Sequence, residues 1–252
     1  VMKNVIFLVF FIFLSFPFFS AEYLHIYTLS DETGRDIKLR FDVGKKYSSS
    51  FKFDIFDVVI RPQIAVWIED EEGNFIKTLY VTQTFASQNW LAIIKLDKRE
   101  TYRKEVLPCW YHRYSKKNGL EISHEKPLPD SITSATPFAN FFLNTKIPND
   151  KDYFIFVEIN MALDENKDYP LKAGFGNPNL NGVSGQPALV YKGKISKNNV
   201  SEVTLQLIGR SCQTGKDDTI YTDVDKITSA FKIIDKIVVS DKKSDNALRI
   251  FY

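Results

Sequence analysis

Histidine and cysteine are scarce in this chain, at three and two residues among 252. That scarcity leaves little from which to build a zinc or copper centre, which draws on several imidazole or thiolate ligands. The signatures of the common hydrolytic and redox chemistries are missing as well. There is no G-x-S-x-G elbow, no H-E-x-x-H helix and no C-x-x-C pair. Neither sign of charge dominates. Lys and Arg number 33 against 31 Asp and Glu, so the basic face that nucleic acid demands is not expected, and nucleic acid is not expected as a partner. Glycine is sparse beside the aromatics, 11 against 21 Phe and 12 Tyr. That balance leans toward β-strands.

What is there begins with "VMKNVIFLVFFIFLSFPFFSAEY". Lys3 supplies a short basic start. Val5 to Phe19 is apolar apart from Ser15 and Pro17. A membrane span needs roughly 20 apolar residues, and this shorter run suits a secretory leader. The expectation is a signal peptide over residues 1–20, cut near Ser20 or Ala21, with an uncleaved anchor as the other reading. Both place the remainder outside the cytoplasm, in the periplasm or the extracellular space. Once its leader is removed, the protein is expected not to be an integral membrane protein. No repeat and no clean linker divides residues 21–252, so one domain is expected, long enough to bury a core without a metal or disulfide.

Most of that domain reads as strands. "YLHIYTLS", "DIKLRFDVG" and "FKFDIFDVVI" alternate apolar and polar residues. "PQIAVWIEDEEGNFIKTLYVTQT" reads as a hairpin turning at Glu71-Glu72-Gly73-Asn74. "DYFIFVEINMAL", "PALVYKGKIS", "VSEVTLQLIG" and "DKIVVSDKK" follow as strands. Two segments differ. "NWLAIIKLDKRETYRKEVLPCWYHRY" predicts a short helix or an irregular crossover. "TDVDKITSAFKIIDK" places Val224, Ile227, Phe231 and Ile234 near helical spacing, with Thr222 or Asp223 as its cap. Tyr169 to Pro187 is glycine- and proline-rich and reads as a long loop. Short strands with turns about every ten residues predict a mainly all-β fold, an antiparallel β-sandwich with one or two short helices.

Few residues invite chemistry. Cys109 and His112 in "CWYH", with His124 beyond, have ligand spacing, but packing explains Trp110 and Tyr111 more simply. Glu69 to Glu72 fall on a hairpin tip and read as a solvated turn. Cys109 and Cys212 are either a disulfide pair or two separate buried thiols, since spacing does not show proximity.

"DSITSATP", Asp130 to Pro137, has four hydroxyl side chains in eight residues. Asp130, Thr133, Ser134, Ala135 and Thr136 follow the layout D-x-x-[ST]-x-A-[ST]. This resembles the acceptor motif of bacterial extracytosolic flavin transferases, usually D-x-x-[ST]-G-A-T. The resemblance implies FMN joined through its phosphate to Thr136, with Asp130 as a recognition residue and Thr133, Ser134 and Ala135 as the small flank. Ser134 stands where the motif has glycine. If that glycine serves a left-handed backbone or close approach, serine hinders modification. The plain alternative is a Ser/Thr turn stopped by proline.

A second resemblance joins several segments in order: "RPQIAVWIEDEEGNFIKTLYV", "LPCWYHRY", "DSITSATP", "YFIFVEIN" and "SGQPALVY". Over roughly Arg61 to Tyr191 the chain resembles an uncharacterised family of predicted periplasmic proteins, domain of unknown function 2271. Its hairpin also resembles the immunoglobulin-like domain of flagellar hook-capping proteins, which makes the expected sandwich immunoglobulin-like. The family resemblance implies a flavin transferase and a membrane redox protein as partners. Two readings of function follow. The first is a non-enzymatic exported protein that binds a partner through its loops. The alternative is an electron-transfer carrier with FMN on Thr136, for which Trp90, Trp110 and the 169–187 loop are the candidate stacking partners.

Overall fold

The structure is a computed structural model that describes residues 23–53, 56–90, 103–171, 184–198 and 202–241. The leader and most of the glycine-rich loop lie outside the described residues. In chain order the strands are β1 (Leu24–Tyr27), β2 (Arg35–Val43), β3 (Ser49–Phe53), β4 (Phe56–Ile60), β5 (Gln63–Glu69), β6 (Phe75–Thr82) and β7 (Thr133–Ser134). They continue as β8 (Phe141–Ile147), β9 (Tyr153–Asn160), β10 (Leu189–Ile195), β11 (Val203–Thr204), β12 (Gln206–Arg210) and β13 (Ile234–Asp241). Helix α1 is the single turn Gln83–Ala86, and α2 runs Pro108–Asn118.

The alternation read from "DIKLRFDVG" sets how β2 sits. Ile37, Leu39 and Phe41 are fully buried on one face, and the polar residues between them turn to the other. Opposite them in antiparallel register stand Thr145, Leu143 and Phe141 of β8. The Phe41 and Phe141 rings stack at 4.3 Å. A five-stranded sheet of order β1-β8-β2-β13-β11 results. The second sheet has six strands, β12-β10-β9-β5-β6-β7. Its Ile64, Val66, Ile68, Ile155, Val157 and Ile159 are buried on one face. One contiguous apolar cluster draws on both sheets, so the fold is a β-sandwich. Strands β3 and β4 pair only with each other.

The sandwich is not purely antiparallel, because β1 joins β8 and β7 joins β6 in parallel. Both are short edge strands delivered by loops from elsewhere in the chain. The predicted hairpin is β5–β6, with Gly73 at φ +82° in its turn. Its carboxylates are not all solvated, contrary to the expectation. Glu69 and Asp70 are only 5% exposed. Glu69 accepts from the Trp67 indole at 2.7 Å and pairs with Arg113 at 2.9 Å. Asp70 caps the turn through the Asn74 amide at 2.8 Å.

The helix expected over residues 222–236 is not formed. Only a 3₁₀ turn, Ser229–Lys232, precedes β13. From Ile234 onward the period of two wins, because Ile237 and Val239 fill the core beside Phe41 and Leu39. The "VSEVTLQLIG" segment divides between sheets: β11 pairs with β13 and β12 with β10. The crossover segment does hold a helix, α2. It opens with Pro108, whose missing N–H costs nothing there. It closes at Gly119, φ +64°, whose N–H donates to the Ser115 carbonyl at 2.8 Å. A residue with a β-carbon would be strained in that left-handed position.

Candidate functional site

The "DSITSATP" segment is held against the edge of the six-stranded sheet. Asp130–Ile132 forms a 3₁₀ turn, with Asp130 and Ser131 exposed and Ile132 buried as its anchor. The Leu29 N–H donates to the Ser131 carbonyl at 2.9 Å and ties the turn to the end of β1. Thr133 and Ser134 then pair in parallel with Val81 and Thr82 of β6. Ala135 is exposed, Thr136 half-buried and Pro137 buried. The Thr136 hydroxyl donates to the Pro62 carbonyl at 3.2 Å. The Tyr80 hydroxyl reaches the Ala135 carbonyl at 3.4 Å, a long contact. Of the five residues singled out from the motif, Thr133 and Ser134 form the edge strand β7, and Asp130, Ala135 and Thr136 flank it.

Ser134 stands where the acceptor motif carries glycine. The described non-glycine residues with positive φ are Leu29, Gln88 and Leu163. Ser134 is not among them, so this backbone asks for no left-handed residue at that position. The close-approach role of the motif's glycine remains the one that serine would obstruct.

Sequence reasoning missed two buried polar groups, at Tyr47 and Arg61. The Tyr47 hydroxyl and the Arg61 Nε are buried and without a hydrogen-bond partner among the described residues. Tyr47 is 2% exposed. Burial pushes its phenol above the usual range, and the Arg61 guanidinium nearby opposes that push. Tyr47 in turn adds to the upward shift that burial imposes on Tyr80. Arg61 directly precedes Pro62, whose carbonyl holds Thr136. Phe138, two residues past Thr136, is 66% exposed, and it too was not singled out. Trp110 is excluded as a stacking partner. It is fully buried, stacked on Tyr114 at 5.1 Å and edge-on to Phe85 at 5.8 Å. Trp90 is half-buried, under the Arg103 guanidinium at 4.5 Å.

The other polar cluster lies under α2. Glu158 is fully buried on β9, and its two carboxylate oxygens accept the amides of Cys109 at 3.1 Å and Trp110 at 2.8 Å. These are amides of the first turn of α2, which has no side-chain cap of its own. Burial pushes the Glu158 carboxyl up to about 7, against those amides and the Arg113 guanidinium. Arg113 also donates to the carbonyls of Cys109 and Asp218, both at 3.1 Å. His112 Nε2 lies 2.7 Å from the Gly215 carbonyl. Cys109 and Cys212 are two free, buried thiols, not a disulfide. Burial raises the Cys109 thiol far from ionisation, and its sulfur faces the Thr219 carbonyl at 3.8 Å. These groups clamp the 212–219 loop to α2, and no three His, Cys, Asp or Glu of the described residues gather as a metal site.

A third feature is aromatic. Along β1 and β8, Tyr23, just before β1, stacks on Phe142 at 4.6 Å, and His25 lies 5.2 Å from Phe142 and 6.1 Å from Tyr27. The Lys38 ammonium sits 4.4 Å above the Phe142 ring. Tyr27 is 60% exposed at the end of this row. Compared with protein-family models, with curated proteins and with solved structures, the chain finds no match.

Proposed function

We propose that this is an exported, non-enzymatic electron carrier bearing FMN on Thr136. The observation that carries the reading is the setting of Thr136: a half-buried hydroxyl next to exposed Ala135, just past the edge strand β7. The attached group supplies reversible one- and two-electron chemistry. The chain supplies the attachment hydroxyl, an exposed Phe138 ring nearby and an edge that a transferase can approach. The resemblance to the acceptor motif and to the predicted periplasmic family supports the same reading. It brings a flavin transferase and a membrane redox protein as partners, with the periplasm or cell surface as the place of action. No described helix is long and apolar enough to cross a membrane.

The test is the intact mass of protein exported by a host that co-expresses a flavin transferase. The expected result is a gain of one FMN, with flavin absorbance, and complete loss of both in Thr136→Ala. An unmodified mass, in a host whose transferase loads a control substrate, would overturn the assignment.

A second reading rests on the row of Tyr23, His25, Tyr27 and Phe142. His25 and Tyr27 are exposed beside half-buried Tyr23 and Phe142, and exposed aromatics favour protein partners, so this row suits partner binding without a cofactor. A photo-crosslinker at Tyr27, in the envelope of the producing cell, is expected to capture one discrete protein. The same crosslinker at Leu120, also exposed, is expected to capture none. Equal capture from both positions would remove this reading.

A further inference from the structure

We propose that the cavity at the end of β1 binds one sugar residue of a neutral glycan. The inference is independent of Thr136. It rests on the second reading, in which the row along β1 binds a partner, and names what the partner presents at the row's exposed end. The cavity measures about 210 Å³. Tyr27, Ser30, Asp36, Asn144 and Lys146 line it. Thr28 and Thr145 complete the lining, and their buried hydroxyls bond to one another at 2.9 Å.

Three observations carry it. The first is a ring that is both presented and held. Tyr27 is 60% exposed. Its ring lies 6.1 Å from that of His25, at an interplanar angle of 20°. His25 meets Phe142 at 5.2 Å, and Tyr23 stacks on Phe142 at 4.6 Å. The Tyr23 hydroxyl is in turn anchored on Asp42 at 2.6 Å. A ring supported in this way meets the C–H face of a sugar at little ordering cost. The second is the set of polar groups around that ring. Asp36 on β2 stands directly opposite Lys146 on β8. Neighbours of opposite sign leave little net field, so neither an anion nor a cation is favoured. The Lys146 ammonium donates to the Glu32 carbonyl at 3.0 Å, and the Asn144 amide to the Ile26 carbonyl at 3.2 Å, so both are held in place. Asp36 and Ser30 are exposed. A carboxylate accepts from two hydroxyls at once, while the amide, the ammonium and the serine supply donors and acceptors for others. That mixture suits a neutral ligand rich in hydroxyls. The third is size. Pockets that enclose a drug-sized ligand measure roughly 300–1,000 Å³. This smaller one takes a single ring and leaves the rest of a chain outside.

The probes are the methyl glycosides of glucose, galactose, mannose and N-acetylglucosamine, with glycine as a zwitterionic control and adenine as a flat one. Binding to the exported chain is read by saturation-transfer NMR and by amide shifts. At least one glycoside is expected to bind with a Kd on the order of 1 mM, with shifts centred on Tyr27, Asp36, Asn144 and Lys146. Tyr27→Ala and Asp36→Ala should each weaken it by about tenfold. Tyr27→Phe, which keeps the ring, should retain most of the affinity, and Leu120→Ala all of it. Both alanine variants sit at exposed positions, and their melting checks that the fold is kept. Where a glycoside binds, the crosslinker at Tyr27 separates the sources. A discrete capture that the free glycoside suppresses places the glycan on a protein, and a high-mass smear that it suppresses places it on a polysaccharide. No glycoside binding at tens of millimolar, binding of glycine or adenine but of no sugar, or wild-type affinity in Tyr27→Ala would overturn the assignment. Equal capture from Tyr27 and Leu120 would mean that the row itself is misread. A discrete capture at Tyr27 that no glycoside displaces would leave the row standing and the sugar wrong.

Discussion

Replacing Glu158 by Gln is expected to lower stability most at acidic pH, and the deficit should shrink as pH rises. Glu158 lies in the middle of the six-stranded sheet, fully buried, with the first-turn amides of α2 on its two oxygens. A glutamine keeps one acceptor and turns an NH₂ toward the second amide, which loses its partner. An unsatisfied buried amide costs roughly 1–3 kcal/mol. The pH signature comes from linkage. The folded-state pKa is raised by burial from 4.5 to about 7. A carboxyl raised in this way stabilises the fold fully below its ordinary pKa, and that contribution is lost as pH climbs through about 7. The window is therefore about pH 4.5 to 7, and the loss amounts to roughly 3 kcal/mol over it. Glutamine does not titrate. Urea denaturation at pH 5 and pH 8 should give a large Glu158→Gln deficit at the first and a small or inverted one at the second. A deficit that stays constant or grows with pH would contradict the buried-acid assignment. Glu158→Ala, which orphans both amides and leaves a cavity, should cost more at both pH values.

Trp110→Ala should be the most damaging truncation in the helix-to-sheet contact. Its ring is fully buried between Tyr114 and Phe85, and its indole N–H donates to the Thr78 hydroxyl at 3.0 Å. Truncation of a buried Trp costs about 3–5 kcal/mol, here with a stranded Thr78 hydroxyl added. For a domain of this size that is a fall in Tm of roughly 10 °C, a large share of the 5–15 kcal/mol that holds a typical domain. Trp110→Phe should lose about half as much. Thermal melting checks both. On the proposed attachment at Thr136, the protein that remains folded should be loaded to the same extent as wild type, because Trp110 lies between α2 and the sheet and not in the segment that carries Thr136. A loss below about 1 kcal/mol for Trp110→Ala, or an equal loss for Trp110→Phe, would mean that the ring is not the anchor of α2.

The strands were legible where one face of the sheet is apolar. Ile37, Leu39 and Phe41 announce β2 by their spacing alone, and the Glu71–Asn74 turn announces β5–β6. The spacing failed between 222 and 236. Val224, Ile227, Phe231 and Ile234 fit a helix as well as a coil running into a strand, and only the place left beside β2 decided for the strand. The free thiols of Cys109 and Cys212 were open in the sequence for the same reason, since each found its own neighbour after folding.

The sequence by itself determined the β class, the hairpin and the hydroxyl run that ends at Pro137. Each of these is written in a few consecutive residues, through period, turn chemistry or a proline. Tertiary structure alone decided the rest. It put Glu158 under the amides of a helix some 48 positions away in the chain. It brought Pro62, Tyr80 and the Ala135–Thr136 backbone together from three separate segments. Such meetings depend on which strands pair and in what register, and no local pattern encodes them.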